Sequence, residues 1–184
     1  ANTDRENILN LKPFCDGKIY FSPDKFNKPV SFPKKIDIKF ANSKSWYQNL
    51  FGLIKFLENP EYKHTIKIPK KFKNYHPAKI MVEYSNKKKC VFDGEGRVHG
   101  GRGDHVSNTN FLTSLRIRIK NGNINGVNNF ILFLPESRNG NSEIFTTLML
   151  KKFNILSPFT MNINVRVNDK ETGNFIFQEK IDEN

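Results

Sequence analysis

The sequence predicts an α+β domain with a mainly antiparallel sheet and two principal helices. Several short stretches alternate polar and apolar residues, as half-buried strands do. Two longer stretches repeat apolar residues at helical spacing. The second of these falls just before a final pair of strands, an order that suits helices packed on an antiparallel sheet.

The first 33 residues hold four prolines and read as an irregular arm, with a short strand at "KIYFS". The domain proper runs from 34 to 184. "KIDIKF" (35–40) is an alternating strand, and "SKSWYQNLFGLIKFLENP" places Trp46, Leu50, Leu53, Ile54 and Leu57 on one helical face. Ser45 is a candidate cap for that helix, and Asn59-Pro60 stops it. "HTIKIP" (64–69) reads as a strand. "AKIMVEYS" (78–85) and "KCVFDGEGRVHG" (89–100) flank a lysine-rich turn and form a hairpin. In "LTSLRIRIKNG" (112–122), Leu115, Ile117 and Ile119 point one way and Arg116, Arg118 and Lys120 the other. "NNFILFLP" (128–135) is a continuous apolar run suited to a buried strand. The second helix spans 136–154, with Ser142 as a candidate cap and a stripe of Ile144, Phe145, Leu148, Met149 and Phe153. "TMNINVRVND" and "GNFIFQEKID" close the chain as two strands joined through Asp169 to Gly173.

A chain of 184 residues suits one domain, or one lobe of a larger protein. With 37% hydrophobic residues and 17 phenylalanines it has enough apolar material for a core. No run approaches the ~18 apolar residues of a membrane span, and the start has no basic-then-apolar leader pattern. The formal net charge of +12 attracts phosphates, nucleic acid and anionic surfaces. The lysines are spread along the chain, however, and abundant Lys, Asn, Ile and Phe also fit an AT-rich coding bias. "KIPKKFK" (67–73) interleaves lysines with Phe72, near Tyr75, and so offers a base-stacking patch. Cys15 and Cys90 make neither a disulfide framework nor a CxxC motif, and two free thiols are expected.

The densest motif is "RVHGGRGDHV" (97–106). Gly94, Gly96 and Gly100 give GxGxxxG, a poor match to a dinucleotide loop, and no GK[ST] follows. His99, Asp104 and His105 have the chemistry of metal ligands but match no HExxH, cysteine-pair or other fixed ligand spacing. "RGD" (102–104) is the adhesion tripeptide, a frequent chance occurrence in glycine-rich loops. The element order is more informative. A glycine-bearing hairpin, a cationic strand, a helix opening with Glu143 and two further strands follow the order of a protein-kinase small lobe. There a helix glutamate steadies the cation that neutralises nucleotide phosphates; alternatively Glu143 only favours a helix start through the dipole.

"GGRGDHV", "SLRIRIK", "GVNNFILFLPESRN", "SEIFTTLMLKKFNI" and "NINVRVNDKETGNFIFQEKID", in that order, resemble the CotH family, the spore-coat-type kinase-like proteins of bacteria. The resemblance spans about residues 34–184 and implies a protein-kinase small lobe with an N-terminal extension. It also implies ATP and Mg as cofactors, serine phosphorylation of a partner protein as the activity, and a bacterial envelope setting. Carried over by position, Gly103, Asp104 and His105 fall on the family's glycine stretch, and Arg116 is a candidate for phosphate contact. Arg118 stands where a Lys is common. Arg138 and Asn139 fall on an "RN" pair, Glu143 on the helix glutamate, and Gln178 and Glu179 on the start of a hinge beside adenine. The family usually has a Lys before its "SFRIK" strand, where this chain has Leu112 or Thr113. The large lobe, with its catalytic base and metal-binding aspartates, would lie beyond residue 184, so this segment alone is expected to be inactive. The rival expectations are a non-catalytic envelope or surface binding module of the same fold, and a basic nucleic-acid binder.

Overall fold

The computed structural model describes residue 15 and residues 31–59, 67–107 and 111–181. Seven strands close into a barrel. They are β1 (Pro33–Phe40), β2 (His76–Tyr84), β3 (Lys89–Val98), β6 (Leu115–Ile119), β7 (Asn129–Phe133), β8 (Thr160–Val167) and β9 (Lys170–Glu179). Their order around the wall is β1-β2-β3-β6-β7-β9-β8. A separate ribbon pairs β4 (Val106–Ser107) with β5 (Leu112–Thr113). Helices cover Ser43–Glu58 and Ser142–Lys152.

This corrects the expected fold class. The molecule is not a kinase-like α+β small lobe with an open sheet; it is a closed seven-stranded barrel carrying two helices. The expected strands at 35–40, 78–85, 89–100, 112–122, 128–135 and in the last hairpin are present, so the local alternation was read correctly. The difference lies in one long-range pairing. β1 runs antiparallel to β2 and parallel to β8, with Lys35 opposite Asn164 and Ile38 opposite Val167. That seam removes both sheet edges, and closure lets every strand bury its apolar face in one shared interior. The "KIYFS" strand and the first half of "HTIKIP" lie outside the described residues, and Lys67–Pro69 is not strand.

Ile36, Ile38, Ile80, Val82, Phe92, Ile117, Phe130, Leu132, Val165 and Phe177 fill the interior, each at most 1% exposed. The glycines of "DGEGR" have a packing role here. A Cβ at Gly94 would overlap the Arg118 carbonyl and Ile80, and one at Gly96 would press on Ile117 and Phe40. They allow close approach inside the barrel rather than cradling a phosphate. The first helix packs Trp46, Leu50, Leu53 and Ile54 inward, and the Trp46 ring stacks on Phe40 at 4.0 Å. Its cap is Asn42, whose Oδ1 accepts from the Ser45 amide at 2.9 Å; the expected cap, Ser45, is one turn too late.

The seam is fastened by a two-pronged ion pair on the outer wall. Arg166 Nε donates to Asp37 Oδ1 at 2.9 Å and its terminal nitrogen to Oδ2 at 2.7 Å. The two residues are register partners across β1 and β8, and Asp37 is buried. A disulfide joins Cys15 to Cys90 of β3, with Cα atoms 5.4 Å apart. This corrects the expectation of free thiols: the chain brings two cysteines 75 positions apart within bonding reach, which spacing alone does not reveal.

The second helix departs from its amphipathic reading. It begins at Ser142, after a 3-10 turn over Pro135–Arg138. It rests on the wall through Thr147 and Ile144, the latter packed on Ile131, Phe133 and Ile176. Phe145, Leu148, Met149 and Phe153, expected in the core, are exposed. Among the described residues no helix is long and apolar enough to cross a membrane.

Candidate functional site

The alternation that sends Leu115, Ile117 and Ile119 inward sends Arg116 and Arg118 outward. Register then sets a row across four strands of the outer wall. Arg97 of β3 pairs with Arg116 of β6, Arg116 with Ile131 of β7, and Ile131 with Gln178 of β9. Nearer the barrel end stand His99, just past β3, and Phe133, at the end of β7.

The glycine stretch delivers a second imidazole to this place. The chain leaves β3 at Val98 and turns at Gly100, whose φ of +109° and contact with the His105 ring leave no room for a Cβ. A 3-10 turn over Gly103–His105 and the β4–β5 ribbon bring it back. The His105 carbonyl accepts from the Ser114 amide at 2.9 Å and from Thr113 Oγ1 at 3.1 Å. His105 Nδ1 and the Ser114 hydroxyl are hydrogen-bonded at 3.1 Å.

Phe133 forms the floor. The rings of His99 and His105 lie 5.4 Å and 5.9 Å from its centroid, and the Arg138 guanidinium carbon stands 4.0 Å above it. Arg138 reaches Glu143 at 3.9 Å, and Glu143 Oε1 accepts from Gln178 Nε2 at 2.6 Å. Arg138 Nε is buried and has no hydrogen-bond partner. Burial, then the neighbouring His105, Arg97, Arg116 and Arg138, push the His99 pKa down to about 3. Burial also lowers that of His105, against the pull of Asp104.

Most residues singled out in the sequence gather here, with changed partnerships. The glutamate of the second helix lies on the same wall as Arg116, but the cation it holds is Arg138, and Arg116 Nε donates to Asn129 Oδ1 at 3.2 Å. Arg118 lies two residues further along β6, 3.8 Å from Glu95 and 4.5 Å from the centre of the Tyr75 ring, which Arg97 also faces at 5.2 Å. Asp104 is half exposed, 3.9 Å from His105 Nε2. Gly103 opens the 3-10 turn. Asn139 takes a left-handed conformation, φ +50°, and its carbonyl accepts from Ser142 Oγ at 3.0 Å, shaping the entry to the helix. Glu179 Oε2 accepts from the Phe159 amide at 3.0 Å and so fastens the start of β8. Arg97, Ser114 and Phe133 were not singled out. Arg97 was legible as an outward position on an alternating strand. Phe133 was hidden inside an apolar run, where the inner and outer faces of the wall cannot be told apart.

The cluster suits an anion. Guanidinium groups match phosphate oxygens in geometry and charge, and a neutral imidazole beside them can donate or accept. Among the described residues no three His, Cys, Asp or Glu side chains are grouped to hold a metal ion. No family model matches the chain, and no curated protein matches it either.

The burial of His99 has a measurable cost in acid. In the unfolded chain it titrates near 6.5, whereas the fold keeps it neutral down to about 3. Below pH 6.5 the unfolded state therefore binds a proton that the folded state refuses, and stability falls as pH falls. Allowing for partial solvent screening, we expect His99 to account for a loss of about 1 kcal/mol between pH 7 and 5. Urea unfolding of the wild type and of His99→Gln at both pH values measures it; equal losses in the two proteins would show that His99 is not the source.

Proposed function

We propose that this chain is a binding module that holds the phosphate groups of a nucleotide on the outer barrel wall, with Arg138, Arg116 and Arg97 as the cationic contacts. Nucleotide binding is what the CotH resemblance implies, and ATP is the natural first ligand to test. The observation that carries the reading is the state of Arg138. Its guanidinium is poised over Phe133 and its ion pair with Glu143 is long, while its buried Nε has no acceptor. A phosphate oxygen would supply that acceptor, and leaving such a donor unsatisfied costs about 1–3 kcal/mol. Gln178 and Glu143 then act as positioning residues that keep the guanidinium over the ring.

Phosphoryl transfer by this segment is not part of the reading, because the described residues do not assemble magnesium ligands. Protein phosphorylation by the whole protein, with Mg and a partner substrate, belongs to whatever a further lobe would add. The nucleic-acid reading loses its stacking residue: Phe72 is buried against Phe56, at 5.9 Å between ring centres, so "KIPKKFK" presents no free ring there.

Titration calorimetry with ATP, ADP and pyrophosphate at low salt tests the proposal. Binding in the micromolar to millimolar range is expected, and Arg138→Met should weaken it at least tenfold. Lys89→Met, at the far end of β3 from Arg97, should leave it unchanged. Absence of binding at millimolar nucleotide, or equal loss in both variants, would overturn it.

A further inference from the structure

A second site lies at the same end of the barrel, on the inside rather than on the wall. The first helix, the β5–β6 segment and the β8–β9 hairpin enclose a cavity of about 1030 Å³. Its floor is Leu50, Leu115 and Phe175, all buried, and Trp46, Tyr47 and Leu112 form its sides. This is at the upper end of volumes that hold small ligands, and the lining is mainly apolar.

The charge at the opening is one-sided. Lys44, in the first turn of the 16-residue helix, and Lys170, at the hairpin, both line the cavity, and among the described residues no Asp or Glu lines it. Lys170 Nζ stands 5.0 Å over the Tyr47 ring, so the ammonium is held at the apolar wall. The hairpin carboxylate of Asp169 is already paired with Lys39 at 3.0 Å. The first turn of the helix carries no acidic residue, so its positive end adds to the same field. Phe111, also at the opening, is half exposed with φ +52°, a conformation that a bulky side chain rarely adopts.

We propose that this cavity binds an amphipathic anion with a single long apolar chain, its acid group between Lys44 and Lys170 and its chain along Trp46, Leu115 and Phe175. The site is separate from the arginine cluster and does not depend on that reading. An apolar chain replaces water against the lining, and the acid group meets two cations with no carboxylate among the described lining residues.

Trp46 is the only tryptophan and lines the cavity, so it reports occupancy directly. The probe is a brominated long-chain fatty acid, read by quenching of Trp46 fluorescence. Saturable quenching at micromolar acid is expected. Lys44→Glu combined with Lys170→Glu should weaken it at least tenfold, and the matching brominated alcohol should bind at least tenfold more weakly to the wild type. Leu112→Trp, which fills the opening, should abolish binding of a fluorescent fatty acid; thermal melts of each variant establish that the barrel is intact. Non-saturable quenching overturns the site. Equal affinity for acid and alcohol, together with an unaffected charge-reversal variant, overturns the choice of an anion. ATP at concentrations that fill the arginine cluster should not displace the fatty acid, and competitive displacement would overturn the separation of the two sites.

Discussion

Reduction of the Cys15–Cys90 disulfide is expected to lower the unfolding free energy by about 4 kcal/mol, the chain-entropy value for a loop of this length. The bond ties a residue of the N-terminal arm to a buried position on β3. In the oxidised chain the unfolded state retains this loop and has less conformational freedom to gain. Urea unfolding with and without a reductant measures the difference, and Cys15→Ser should reproduce the reduced midpoint without reductant. An identical midpoint in all three conditions would mean that the bond does not constrain the unfolded chain.

The Asp37→Asn variant should cost about 3 kcal/mol, within the range for breaking one side of a buried, hydrogen-bonded ion pair. Asp37 is 7% exposed, and the change leaves Arg166 without its carboxylate at the one parallel seam of the barrel. Because the arginine retains some contact with water, the loss should stay below that of a fully buried pair. Combining Asp37→Leu with Arg166→Met should recover most of the stability, because packed apolar residues can replace a buried ion pair at little net cost. If the double variant is no more stable than the single, the ion pair contributes net attraction and this account of the seam fails.

The strands were legible because each has a local cause. "KIDIKF" and "SLRIRIK" alternate strictly, and the alternation matches their inward and outward faces in the structure. The last hairpin was also legible, although its turn is the two-residue Asn168-Asp169, both with positive φ, rather than the longer Asp169 to Gly173 connection. Closure was not legible. Nothing local in 33–40 or 160–167 states that these segments pair, and a helix followed by a hairpin fits an open sheet as well as a barrel. The second helix misled for a related reason. Its apolar residues repeat at helical spacing, but the contact it makes is small and falls on Ile144 and Thr147.

The site was legible in its members more than in its partnerships. Arg138, Glu143, His105 and Gln178 were picked out and do lie together, but pairing Glu143 with Arg138 depends on a turn whose geometry no motif specifies. The role of Phe133 depends on which face of the wall the second helix covers.

The β1–β8 seam joins segments more than 120 positions apart, and the pair Asp37 and Arg166 spans 129. During synthesis, the first strand must wait until nearly the whole barrel has left the ribosome before it meets that neighbour. Throughout this interval β1 has β2 on one side only, and its free side can pair with other chains. Assembly of this barrel should therefore be slow, and crowded nascent chains should be most prone to aggregate before Arg166 emerges.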